Sequence, residues 1–147
     1  MTKENSVPFV EGHFTWPSDE PRLLGSKCPR CDTAVFPRAF TCPNPECSSR
    51  VVEDVAFDRL GILASYTVVR YPPPPPYVAP DPFVPFAIAE VEFPNGVQVV
   101  GPVTGEHGFD FTVGQSMETL VGRYYTDETG QDIIGWMFKP IDAGSHA

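Results

Sequence analysis

Four residues in this 147-residue chain have the type and spacing for one specific chemistry: Cys28, Cys31, Cys42 and Cys47. They read C-x2-C, then ten residues, then C-x4-C, and no cysteine lies outside the pattern. Each short turn bends two sulfurs onto one ion, and a hairpin-length connector folds the turns face to face. The product is a tetrahedral four-thiolate site, with zinc about 2.3 Å from each sulfur. Disulfides suit an exported chain, and this one opens M-T-K-E-N-S-V-P with no apolar run of the signal-peptide kind. A redox C-x2-C expects a βαβ context, and no helical pattern follows Cys31. Iron in a rubredoxin-like site stays open, because thiolate spacing alone does not choose the metal. The second turn is wide and filled by Pro43-Asn44-Pro45-Glu46, stiff turn material. Asp32 follows Cys31 where such a turn often has glycine, and aspartate tolerates a left-handed backbone.

Little else points to catalysis. With four cysteines on a metal, no thiol is left as a nucleophile, and a closed four-ligand zinc has no open position for water. The three histidines are scattered: His13 near the start, His107 in Gly105-Glu106-His107-Gly108, and His146 in the tail. No nucleophile elbow, Walker loop or dinucleotide fingerprint is present. No catalytic residue is expected in the chain.

The elements that must hold this site are strands. Eighteen prolines and twelve glycines argue against long helices and for short strands with fixed turns. Residues 1–21 form an arm broken by Pro8, Gly12, Pro17 and Pro21. The four-cysteine ribbon spans 22–54, a barrel 55–140 and a tail 141–147. From Gly61 the apolar period becomes two. Strands are predicted over Ile62–Val69, Phe86–Phe93, Val97–Val103, Gln115–Tyr125 and Asp132–Phe138. Asn95-Gly96 marks a hairpin between the second and third. Five strands with long first and third loops suit a small Greek-key barrel of the OB type. The fold expected is therefore mainly β: an N-terminal zinc ribbon followed by a five-stranded OB-fold barrel.

The first barrel loop holds five consecutive prolines, Pro72–Pro76. They enforce a polyproline II rod of about 15 Å. It is read either as a rigid loop folded on the barrel or as a preorganised arm for a partner. Tyr71, Tyr77 and Phe83 around it are the candidate partner anchors.

Net charge is −9 and uneven: residues 22–50 carry +3, residues 51–147 carry −9. An acidic barrel is a poor match for a phosphate backbone. A single-stranded nucleic-acid binder, the main rival for a ribbon joined to an OB barrel, needs a basic groove with stacking aromatics. No nucleic-acid partner is expected. The longest apolar runs are far short of a membrane span, so no membrane partner is expected and the chain reads as cytoplasmic.

The order of motifs resembles one family, the rubredoxin-like zinc ribbon joined to an acyl-CoA-associated OB-fold. The carrying residues are L-L-G-S-K-C-P-R-C (Leu23–Cys31), V-F-P-R (Val35–Arg38), G-I-L-A-S-Y-T-V-V (Gly61–Val69), P-F-V-P-F-A-I-A-E-V (Pro82–Val91), V-G-Q-S-M-E (Val113–Glu118) and F-K-P (Phe138–Pro140). The wide second turn and the lack of an N-terminal helix depart from the commonest pattern. The resemblance implies a non-catalytic subunit in a complex with a thiolase-fold enzyme, which brings the cysteine and bases. It implies acyl-CoA or CoA as a ligand of the complex. Lys27, Arg30 and Arg38, in the one basic region, are the candidates to face CoA phosphates. A hetero-oligomer with two copies of each subunit is the expected assembly.

Overall fold

A computed structural model describes residues 6–16, 19–74, 82–104 and 109–141. Among these residues there are nine strands and no helix. They are β1 (Ser6–Pro8), β2 (Leu24–Lys27), β3 (Ala34–Val35), β4 (Glu53–Ala56), β5 (Leu60–Val69), β6 (Phe86–Glu92), β7 (Gln98–Pro102), β8 (Ser116–Thr126) and β9 (Asp132–Pro140).

Strands β5 to β9 make the barrel. β5 pairs antiparallel with β6 and with β8, β6 with β7, and β8 with β9. Closure comes where β7 ends: Val103 bridges Phe138 in parallel, and Thr104 N–H donates to the Phe138 carbonyl at 2.9 Å. This is the five-stranded barrel expected from the alternation. A register shift between Leu63 and Ser65 bends β5 so that one strand can serve two neighbours. Inward residues alternate with outward ones along β6, where Ala87, Ala89 and Val91 are buried. With Leu63, Met117, Ile134 and Phe138 they form the barrel core.

The β6–β7 hairpin turns at Asn95-Gly96, but not as a two-residue loop. Gly96 N–H donates to Phe93 O, so Pro94 and Asn95 are the central residues, neither with positive φ, and Gly96 follows them at φ 86°. This is a type I turn followed by a left-handed glycine. The Asn95 side chain occupies itself with Val97 N–H at 3.0 Å.

The ribbon sheet has the order β3-β2-β4, both pairs antiparallel. The arm is bound to its own chain at two places. β1 pairs in parallel with β9, Ser6 opposite Asp132. Further on, Phe14 bridges Leu23 and both are buried. Ribbon and barrel are joined by a line of rings in edge contact or tilted. Phe36 meets Phe57 (6.0 Å), Phe57 meets Phe93 (5.3 Å) and Phe93 meets Phe138 (6.2 Å). Arg59 adds a polar tie at the junction, donating to Glu118 at 2.5 Å and to Pro21 O at 3.2 Å.

Candidate metal centre

The first cysteine turn is built by backbone bonds that leave sulfur lone pairs inward. Asp32 N–H donates to Cys28 O, and Cys28 N–H donates to Thr33 O. Asp32 sits at φ 64°, the left-handed conformation expected there, and its carboxylate lies 3.8 Å from Lys27 Nζ. The wide second turn is held by Asn44. Its carbonyl accepts from Cys47 N–H and its side-chain oxygen accepts from Glu46 N–H, each at 3.0 Å. Its amide also reaches across to Thr33 Oγ1 at 3.3 Å, so one residue ties the two turns together.

These turns bring all four sulfurs within 4.8 Å of one another. Cys28 and Cys47 are 3.9 Å apart, Cys31 and Cys42 3.5 Å. A tetrahedron of metal–sulfur bonds of about 2.3 Å has edges of roughly 3.8 Å, so the cluster fits zinc. The protonation chemistry points the same way. The Thr33 hydroxyl, 3.1 Å away, and the Thr33 N–H hold the Cys31 thiol down at about 6. The N–H groups of Cys31 and Arg30 lower Cys28. At Cys42 the Asn44 N–H favours the thiolate, but burial and the crowd of sulfurs push the thiol up to about 12. Four adjacent sulfurs do not all ionise unaided; a divalent cation is the charge that lets them.

The remaining candidates are spread out. Lys27 is engaged with Asp32, and Arg38 with Asp54 at 3.3 Å. Arg30 is exposed on the first turn and makes no ion pair among the described residues. Tyr71 is 83 % exposed, while Phe83 is half-buried against the Phe86 ring at 6.2 Å. Tyr77 and most of the proline loop, with His107 and His146, lie outside the described residues.

Pattern reading placed His13 in the arm without a role. Its ring is packed between the ribbon's Phe36 at 5.4 Å and the barrel's Trp136 at 6.2 Å, and its Nδ1 is buried without a hydrogen-bond partner among the described residues. Burial first, then the charge of Arg38, lowers its pKa below the usual histidine value. No local motif announces this, because its neighbours come from the segment after β3 and from β9, both distant in sequence.

Known proteins share this arrangement. Residues 13–53 match the ChsH2 rubredoxin-like zinc ribbon domain, and residues 54–123 the ChsH2 C-terminal OB-fold domain. A DUF35 domain-containing scaffold protein of Pyrococcus furiosus is 29% identical over 142 residues, covering 96% of this chain and 97% of its own length. Another, of Methanocaldococcus jannaschii, is 29% identical over 125 residues, 82% of each chain. Among solved structures, a chain described as Ltp2-ChsH2(DUF35) aldolase has the same fold, with a TM-score of 0.62 at 24% identity. The likeness covers 81% of this chain and 84% of that one.

Proposed function

Since residues 13–53 belong to the ChsH2 zinc-ribbon domains and residues 54–123 to the ChsH2 OB-fold domains, we propose that this chain is the non-catalytic, zinc-binding scaffold subunit of a thiolase-type acyl-CoA complex. It braces a thiolase-fold catalytic subunit and its acyl-CoA site. The observation that carries this is the commitment of every thiol in the chain to one closed cluster. Thiolysis of a 3-oxoacyl-CoA needs a cysteine to take the acyl group and a base to activate CoA. Here those groups belong to the partner.

Zinc at Cys28, Cys31, Cys42 and Cys47 supplies a structural cross-link and neutralises thiolate charge. The chain's own residues do the rest. The Phe36–Phe57–Phe93–Phe138 line fixes the ribbon against the barrel, so the two modules meet a partner at a set angle. Arg30 is the cation freest to meet a CoA phosphate. Lys27 and Arg38 first have to leave Asp32 and Asp54. Benzoylsuccinyl-CoA of anaerobic toluene breakdown is the acyl substrate the resemblance suggests. Two copies of each subunit, in the cytoplasm, is the proposed assembly.

The test is a steady-state thiolysis assay of each protein alone and of the two together. The candidate partner is a thiolase-fold protein, sought first among the products of neighbouring genes. Activity is expected only from the mixture. Full turnover by the partner alone overturns the scaffold reading, and turnover by this chain alone overturns its lack of catalytic groups.

A further inference from the structure

The outward face of β5 departs from what an antiparallel barrel strand presents to water. Gly61 and Leu63 point inward and are buried, so Leu60 and Ile62 point out. Such positions are ordinarily polar. Here they are branched aliphatics, 50% and 47% exposed. They line a shallow cleft of about 390 Å³, together with Phe93, Pro94, Ser116 and Glu92.

The charged side chain that lines this cleft is acidic, Glu92. Glu92 faces Ile62 across the β5–β6 ladder, and Gln98 donates to it at 3.4 Å. Glu90 lies one outward position along β6, held by Ser65 Oγ at 3.1 Å. Among the described residues no lysine or arginine lines the cleft, and Arg59, next to Leu60, is paired with Glu118. We propose that this groove docks an apolar, lysine- or arginine-bearing element of the catalytic subunit. The inference rests on the scaffold reading above and names where on the barrel the partner sits.

The chemistry excludes the other occupants. A CoA phosphate meets a carboxylate and finds no cation. A second copy of this chain, related by a twofold axis, brings Glu92 against Glu92 with nothing to neutralise the pair. A basic, apolar protein surface fills the cleft with Leu- or Met-sized side chains while its cations reach Glu92 and Glu90.

The experiment uses the full zinc-bound chain and the thiolase-fold protein that the activity assay above pairs with it, with Kd measured by titration calorimetry at low and moderate salt. The variants are Ile62→Asp and Glu92→Lys, both at exposed positions, with zinc content and thermal melting as checks of fold. Each is expected to raise Kd at least tenfold. Salt is expected to weaken the unaltered complex and to have less effect on Glu92→Lys. Glu92→Lys also decides the matter if Ile62→Asp fails to fold. Unchanged Kd in the folded variants overturns the groove and leaves the scaffold reading standing. So does loss of binding only in Phe40→Ala, at the 97 % exposed ribbon phenylalanine. Self-association of this chain that Ile62→Asp abolishes overturns it in favour of a second copy. An unaltered chain that binds no thiolase-fold protein overturns both readings together.

Discussion

Cys42 is the first ligand of the second turn, and a four-thiolate zinc site needs all four sulfurs on one cation. Cys42→Ser should therefore lose metal binding as well as one ligand. One zinc per chain is expected for the unaltered protein and well under half for the variant, by elemental analysis. Structural zinc contributes on the order of 10 kcal/mol in small fingers, so the ribbon of Cys42→Ser should unfold while barrel strands persist. Iron in the purified protein would contradict the assignment. His13 makes the second prediction at this scale. Its folded pKa is depressed, so the neutral ring is the form the fold favours. The associated stability is present above the unfolded value of about 6.5 and is lost as pH falls through the folded value. On the protein around it, the charged group it feels is Arg38, itself paired with Asp54. Denaturant melts at pH 7 and pH 5 should show a steeper loss in the unaltered chain than in His13→Phe. Thiolate protonation acts on both proteins, so the difference isolates His13. Equal slopes would show that the ring carries no such linkage. The cysteine ligands were legible because metal spacing is local. His13 was not, because its environment is assembled from Phe36, Arg38 and Trp136, far away in sequence.

The five barrel strands were legible for a physical reason: a sheet with one face buried writes period-two alternation into its sequence, as Phe86–Glu92 does. The fold lies within a residue or two of the expected bounds for most of them. β1 was missed because Ser6-Val7-Pro8 is too short to show a period, and its partner, Asp132–Ile134, is chosen by tertiary contact. The ribbon strands, two to four residues long, are silent for the same reason. Packing within the ribbon can be tested at Gly25. A methyl group there runs into the Val35 carbonyl oxygen and, at 2.9 Å, into the Phe57 ring. The oxygen is backbone and cannot step aside, so Gly25→Ala should cost about 1–3 kcal/mol in denaturant melts. On the open side of the barrel, Trp136 Nε1–H caps the Val100 carbonyl at 2.9 Å, where no neighbouring strand supplies a donor. Trp136→Phe keeps a ring against Phe36 and Phe14 but removes that donor. About 0.5–1.5 kcal/mol of destabilisation is expected, with zinc content unchanged.

For the whole molecule, the five-proline run Pro72–Pro76 offers a test of assembly against folding. Replacing Pro72–Pro76 by Gly and Ser raises the ordering cost of docking. Ribbon and barrel should stay folded while co-elution with the partner fails on dilution. Unchanged co-elution would assign that loop to the barrel alone. The acyl group was not legible from the residues, because no motif in this chain has a chemistry that selects one. The parallel pairing of β1 with β9 has a separate consequence during synthesis. Ser6 can pair with Asp132 only after the long stretch between them has left the ribosome. At about 5–20 residues per second, the first strand waits roughly 6–25 s for its partner. The ribbon can gather its metal early, since all four ligands emerge together, but β1, made before the ribbon, is seated only once β9 has followed it.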